Sequence, residues 1–334
     1  MIVTVLSNVS ILIGDFMKRF VLTLAATLCC LSTQAQSWPT KPVRVIASLP
    51  AGSATDIVAR ALSERLTAQL GQPFIVENRP GASGSIAMNL VAKAEPDGYT
   101  LLVHSSSGTV VPSTIPNLPF DVLKDLSGVT MLANIPNALA VSPGKGFNSV
   151  KDLVAFAKAN PGKINYATVG SGSATHLNAE RFRLSAGITG LQVPYKGTSE
   201  ALTDLMAGRV DFCFCPVSNV MPLAKDGRLQ MLAVGSSKRA SGVPEVPTTE
   251  EAGVPKSAYN FYVGLSVPSK MPRDLVIKLH AETVKALNSP EMKERYAKMG
   301  IDANIFTPDQ FDAYLRDEVA ANAVLVKAAG ITAQ

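Results

Sequence analysis

The sequence predicts an α/β fold organised as two domains, and three observations carry that expectation. Short runs of β-branched residues alternate with amphipathic segments that open on capping residues, the pattern of strands and helices in layers. The same strand–loop–helix scheme starts afresh beyond about residue 137. The chain has 334 residues, more than one hydrophobic core usually organises.

The elements follow in order. Val43 to Ile46 reads as a first strand, followed by a Pro/Ala/Gly/Ser loop from Ser48 to Ala54. A helix then runs to Leu70, with Val58, Leu62, Leu66 and Leu70 four apart on one stripe. Ser53 and Asp56 stand at capping-box spacing at its start, and Gly71 ends it. Phe74 to Val76 is the next strand, then a glycine-rich turn through Gly81 and Gly84. Tyr99 to Val103 is a third strand, running into His104-Ser105-Ser106-Ser107-Gly108. In the second half Leu139 to Val141 extends, and Ser149 with Asp152 caps a helix that Asn160-Pro161-Gly162 stops. Ile164 to Thr168 is a strand, followed by Gly170-Ser171-Gly172-Ser173 and a helix to about Ala186. Leu191 to Val193 and Phe212 to Cys215 read as strands around a helix bearing Leu202, Leu205 and Met206. Ser289-Pro290 and Thr307-Pro308 mark two helix starts in the last third, with Pro just after the cap.

Composition narrows the classes. Met17-Lys18-Arg19-Phe20, the apolar run Val21 to Leu31 and the small residues of Thr33-Gln34-Ala35 form a secretory signal pattern, too short to span a bilayer. Met17–Ala35 is therefore expected to be a signal peptide behind an upstream extension, with the exported chain starting near Gln36. Cys29 and Cys30 are not preceded by the small residue a lipoprotein cut needs. The net charge of +5 comes without any run of Lys and Arg, which argues against nucleic acid as a partner. No apolar stretch after Ala35 approaches the ~20 residues of a membrane helix. Cys213 and Cys215 remain after processing. Two apart in a strand they share a face, near the far limit of disulfide geometry, so a bridge and two small core residues both stay open, the second favoured.

Catalytic patterns are looked for and not found. A nucleophile elbow needs Gly-x-Ser-x-Gly, but Ser106 has His104 two residues before it and Ser173 has Thr175 two residues after it. No Gly-x4-Gly-Lys-Ser/Thr phosphate loop occurs, and Gly81-Ala82-Ser83-Gly84 is only a fragment of a dinucleotide fingerprint. No His/Cys/Asp/Glu cluster has metal spacing. The expectation is a protein that is not an enzyme and needs no cofactor.

What recurs is a small polar loop at a helix start: Gly52-Ser53-Ala54-Thr55-Asp56, Ser171-Gly172-Ser173-Ala174-Thr175-His176, and, less completely, Gly197-Thr198-Ser199. First-turn N–H groups with short hydroxyls beside them suit an anion. Each loop alone reads better as ordinary N-capping. Two such loops, one in each half, favour a bipartite carboxylate clamp.

The residues also resemble a known family, the Bug or TctC-like extracytoplasmic solute receptors of tripartite tricarboxylate transport systems. The landmarks are Trp38-Pro39, Pro42-Val43-Arg44, Pro50 to Asp56 with Ile57-Val58-Ala59-Arg60, and Val76 to Gly84. Asp97 to Leu102, Asn165-Tyr166-Ala167, Gly170 to His176, Val193 to Gly197 and Pro247-Thr248 through Gly253 complete them. The resemblance implies a type II periplasmic-binding-protein fold, two α/β lobes joined by two crossover strands at the hinge. Lobe 1 would comprise 36–136 plus 261–334, and lobe 2 137–260. It implies a small organic anion as ligand, held by amides, hydroxyls and water, and membrane transporter subunits as partners. A monomer is the simplest expectation.

Carried over by position, Pro50, Ala51, Gly52, Ser53, Thr55 and Asp56 would hold a carboxylate together with Ser171, Ser173, Thr175 and His176. Ser105, Ser106 and Ser107 would line the floor and Tyr195 and Lys196 the far wall, with Gly84 and Cys215 also among the ligand-binding residues. His176 as a helix cap and Lys196 as a surface charge stay open beside these roles. Three positions depart from the family's pattern: Ser53 stands for a second glycine, Pro50 stiffens its loop, and Cys215 replaces an acidic residue. They point to an aromatic or otherwise less charged monocarboxylate over a di-acid. A ligand sensor docking on a membrane signalling receptor, and a periplasmic hydrolase, are the competing readings.

Overall fold

The computed structural model describes residues 38–170 and 172–331. The expected signal segment Met17–Ala35 and the clamp residue Ser171 lie outside the described residues. From Lys41 onward the chain forms one compact unit built on two five-stranded sheets. The first contains β1 (Val43–Ala47), β2 (Phe74–Asn78), β3 (Thr100–Ser105), β4 (Leu126–Asn134) and β10 (Tyr262–Pro268), in the order β2-β1-β3-β10-β4. The second contains β5 (Asn137–Val141), β6 (Ile164–Thr168), β7 (Gly190–Pro194), β8 (Phe212–Pro216) and β9 (Gln230–Val234), in the order β7-β6-β8-β5-β9.

The two sheets share one plan. Three parallel strands are followed by one antiparallel strand, and a last strand pairs antiparallel to that. The antiparallel strand in each sheet is the one that arrives from the other sheet, β10 in the first and β5 in the second. Two segments therefore cross between the sheets, at Ile135-Pro136 and at 235–261, and they bond to each other. Ile135 N–H donates to Phe261 O at 2.7 Å, and Gly235 N–H donates to Asn137 O at 2.8 Å. A third segment braces them, since Asn134 and Asp302 exchange backbone bonds of 2.7 and 3.1 Å.

Local sequence explains the elements. Helix α1 (Ala54–Leu70) buries Val58, Leu62 and Leu66 from its apolar stripe, and Gly71 ends it in the left-handed conformation. Strand β8 is buried on both faces, which is why it reads as an unbroken apolar run. Phe212 and Phe214 pack with Phe182, and Cys213 and Cys215 face Leu205 and Val220 in the other layer. The two cysteines were favoured as separate core residues; instead they are joined as a disulfide, Cα to Cα 5.7 Å. Their shared face sets the sulfurs side by side.

Strand β3 runs on through Ser105, two residues beyond its expected end, because His104 is held in the sheet by a 2.9 Å bond to Ser266 Oγ on β10. Strands β4, β9 and β10 were not anticipated. Their pairing partners lie far away in the chain, so no local turn announces them. Among the described residues no helix is long and apolar enough to cross a membrane, and no group of side chains could hold a metal ion.

Candidate functional site

A cavity of about 610 Å³ lies between the sheets, beside the crossing segments. Both glycine-serine loops open onto it. In the first, Ser53 is the N-cap of α1 and its Oγ accepts from Asp56 N–H at 3.3 Å. Asp56 turns its carboxylate back to accept from Gly52 N–H at 2.9 Å. In the second, Ser173 caps the helix Ala174–Ala186 (α2) and its Oγ accepts from His176 N–H at 3.3 Å. His176 turns back likewise, Nδ1 accepting from Gly172 N–H at 3.1 Å, which places the ring proton on Nε2.

The backbones match as well. Gly52 has φ 80° and Gly172 φ 71°, a left-handed turn that glycine makes without strain. Ser53 and Ser173 share ψ 160°. With the caps filled, the N–H groups a helix leaves without an internal partner are those of Ala54 and Thr55 on one side, and of Ala174 and Thr175 on the other. All four belong to loops that line the cavity.

The acceptors that hold the loops are buried. Asp56 is 3% exposed and also accepts from Asn78 Nδ2 at 2.8 Å and Arg60 Nε at 3.1 Å. Burial pushes its carboxyl up, but the bonds from Arg60, Gly52 and Asn78 together hold it below the ordinary carboxylate value. His176 is 5% exposed, and burial pushes its imidazole below the ordinary value. His104 beneath the floor is pushed down to about 4, again by burial.

The floor comes from the turn after β3. Ser105 Oγ and Ser107 Oγ are 2.7 Å apart, and Ser107 Oγ donates to Ser83 O at 3.2 Å. Apolar contacts come from Ile57, Ile135, Phe261, Met299 and Ile301. Among the described residues no charged side chain lines the cavity.

The structure thus brings Gly52, Ser53, Ser105, Ser107, Ser173 and Thr175 to one cavity. Other expected residues sit elsewhere. Pro50 and Ala51 are exposed and Thr55 is buried, and none of the three lines the cavity. Asp56 and His176 hold their loops from behind. Ser106 is buried and accepts from Tyr259 Oη at 3.2 Å. Gly84 packs against Ser48, where an added Cβ would come within 3.1 Å of the serine Cβ. Tyr195 Oη donates to Asp204 at 2.8 Å, Lys196 is exposed, and Cys215 is committed to Cys213 in the core. Sequence reasoning did not single out Asn137, Ser218 or Asn219, which do line the cavity, and Ser83 and Thr198 entered only as members of motifs. Asn137 left one signal: it is the polar residue opening an otherwise apolar strand run, just after a proline.

Comparison with known proteins decides the family. Residues 58–331 match the family described as the tripartite tricarboxylate transporter family receptor. This chain belongs to that family. Protein BugT of Bordetella pertussis (strain Tohama I) is 35% identical to it over 298 residues, covering 89% of this chain and 91% of the relative. The solved structure of R. palustris Rpa4515 with adipate matches with a TM-score of 0.77 and 30% identity, over 89% of this chain and 100% of that one. MatC (Rpa3494) from Rhodopseudomonas palustris with bound malate matches with a TM-score of 0.73 and 27% identity, over 86% and 100%. The family and these structural neighbours are solute-binding receptors, not enzymes.

Proposed function

We propose that this chain, exported through its Met17–Ala35 segment, captures a small organic carboxylate between two lobes and delivers it to a tripartite membrane transporter. The lobes are 36–136 with 261–334, and 137–260. One observation carries the reading: two helix starts of the same Gly-Ser-Ala-Thr sequence and backbone, one after a strand of each sheet, open on a cavity that no charged side chain lines among the described residues. Unpaired N–H groups at helix starts stabilise an anion without a cation beside it. Ala54, Thr55, Ala174 and Thr175 would donate from the backbone, and Ser53, whose Oγ accepts from Asp56 N–H and gives its proton to no acceptor among the described residues, would add a hydroxyl. Relatives bound to adipate and malate support a carboxylate as the ligand class. The apolar remainder of the lining favours one carboxylate on a largely uncharged body.

Capture by closure needs a ligand that prefers the closed state. About 5.5 kcal/mol of differential affinity moves a two-state balance from 1:99 to 99:1. Two or three charge-assisted hydrogen bonds of ~1.5–3 kcal/mol each supply that. The test is a thermal-shift screen of residues 36–334 against carboxylates, amino acids and neutral solutes, followed by calorimetric titration of the hits. A ligand that binds only the folded state at a hundredfold excess over its Kd adds about 2.7 kcal/mol of stability. A response to neutral solutes with none to any carboxylate would remove the clamp. Delivery is read in a deletion strain: lost uptake supports it, while intact uptake with lost induction would make the protein a sensor.

A further inference from the structure

We propose that Asn137 sets the specificity of the cleft, selecting a carboxylate that also bears a neutral group able both to donate and to accept hydrogen bonds, a hydroxyl or a carboxamide. This rests on the carboxylate-receptor reading and adds the chemistry of the ligand's other end.

Asn137 is the first residue of β5, where the chain has just crossed from one sheet to the other. Its backbone is committed to the crossing, its C=O accepting from Gly235 N–H and the residue standing opposite Pro216 in the ladder. Its side chain is not. Asn137 is 2% exposed and lines the cavity, yet among the described residues neither Oδ1 nor Nδ2 has a hydrogen-bond partner. Buried amides in folded proteins are nearly always paired, because an unpaired one carries its full desolvation penalty. Its neighbours along the crossing, Ile135, Pro136 and Phe261, have no polar side-chain atom to offer. The floor serines, by contrast, already bond to one another and to Ser83.

An orphaned amide presents both a donor and an acceptor, and that restricts what can meet it. A carboxylate only accepts, so it would satisfy Nδ2 and set its charge against Oδ1. An ammonium only donates, and no acidic side chain among the described residues lines the cavity to balance it. A hydroxyl does both, and a carboxamide pairs with an asparagine through two parallel bonds. The choice holds whichever end of the amide is oxygen.

The experiment is calorimetric titration of residues 36–334 with two matched sets of ligands. One is hexanoate, 6-hydroxyhexanoate, adipic acid monoamide and adipate; the other is benzoate, 4-hydroxybenzoate, 4-carbamoylbenzoate and terephthalate. In at least one set the hydroxyl or carboxamide member is expected to bind about tenfold or more tightly than both the parent acid and the di-acid. The two members of each set tell hydroxyl from carboxamide. Asn137→Leu, of similar volume, should erase that preference while leaving the parent acid within about threefold, as a lost pairing and not a lost clamp. Asn137→Ala, which also removes both the donor and the acceptor but adds no bulk, covers the case where the leucine variant does not fold. Equal binding of parent and substituted acids in both sets, or a preference that survives in either variant, overturns the role of Asn137. Failure of every carboxylate to bind overturns the receptor reading itself, and this inference with it.

Discussion

The loops Gly52–Asp56 and Gly172–His176 have the same backbone and the same capping serine, yet the side chain that ties each one down differs. In the first it is a carboxylate with four donors around it, from Gly52, Asn78 and two nitrogens of Arg60. In the second it is a neutral imidazole that accepts from Gly172. In both loops a buried acceptor at the third helical position closes the turn. What the two sheets share is therefore the geometry of the free N–H groups, and what they need not share is the chemistry that holds them. One half is braced by charge and the other carries a proton-sensitive joint.

Breaking the charged half should have the largest effect. Asp56→Ala removes the acceptor for Gly52 N–H and Asn78 Nδ2 and the partner of Arg60. Hydrogen bonds to a buried charge contribute about 1.5–3 kcal/mol each, and half-exposed Arg60 recovers water, so a net loss of about 3 kcal/mol is expected. Urea denaturation reads it directly. A loss under about 1 kcal/mol would mean that the loop holds its shape through Ser53 alone. His176→Ala removes one neutral bond and should cost about 1–2 kcal/mol, the smaller of the two.

The parallel between the loops was legible in the sequence, because capping is local: Ser53 with Asp56 and Ser173 with His176 lie within one helical turn. The alternating strands and helices were legible for the same reason. What the sequence hid is direction. Asp56 and His176 were expected to face the ligand, but each turns back to accept from the glycine N–H of its own loop and does not line the cavity. Tyr195 was expected in the wall and instead donates to Asp204, a partner on the following helix that strand periodicity does not predict. Asn137, Met299 and Ile301 reach one cavity from segments far apart in the chain, which only the crossing of the two sheets brings together.

The imidazole makes one half of the comparison pH-dependent. Burial lowers the folded-state pKa of His176, with Glu180 raising it and Arg183 lowering it further. An unfolded histidine takes its proton near pH 6.5, so the stability tied to neutral His176 is complete above that value. It is lost as the pH falls from about 6.5 towards the folded pKa, because the unfolded chain then binds the proton first. His104, pushed down to about 4, adds a slope of the same sign over that window. His176→Asn keeps an acceptor where Nδ1 stands but cannot titrate. Its urea midpoint should therefore fall less than the wild type's between pH 7 and pH 5, leaving the His104 part. Superimposable curves would show that protonation of His176 does not open the turn.

The finest distinction lies in the two threonines. Thr175 Oγ1 accepts from Val169 N–H at 2.9 Å and lies 3.0 Å from Ser173 Oγ, so it fastens the loop to the end of β6. Thr55 stands at the matching place, fully buried, yet its Oγ1 has no partner among the described residues. Valine has nearly the shape of threonine without the hydroxyl, so the same substitution at both positions isolates that bond. Thr175→Val strands a backbone N–H and should cost about 1–2 kcal/mol. Thr55→Val removes a buried hydroxyl that gains nothing in the free protein, so its stability should move by less than about 0.5 kcal/mol, or rise. A carboxylate titration separates the remaining possibilities at Thr55. If Thr55→Val leaves stability alone but weakens binding about tenfold, the hydroxyl is kept unpaired for the ligand or a water it brings. If both stay unchanged, the two halves differ because only the second needs its threonine, the imidazole giving its loop fewer anchors than the carboxylate gives the first.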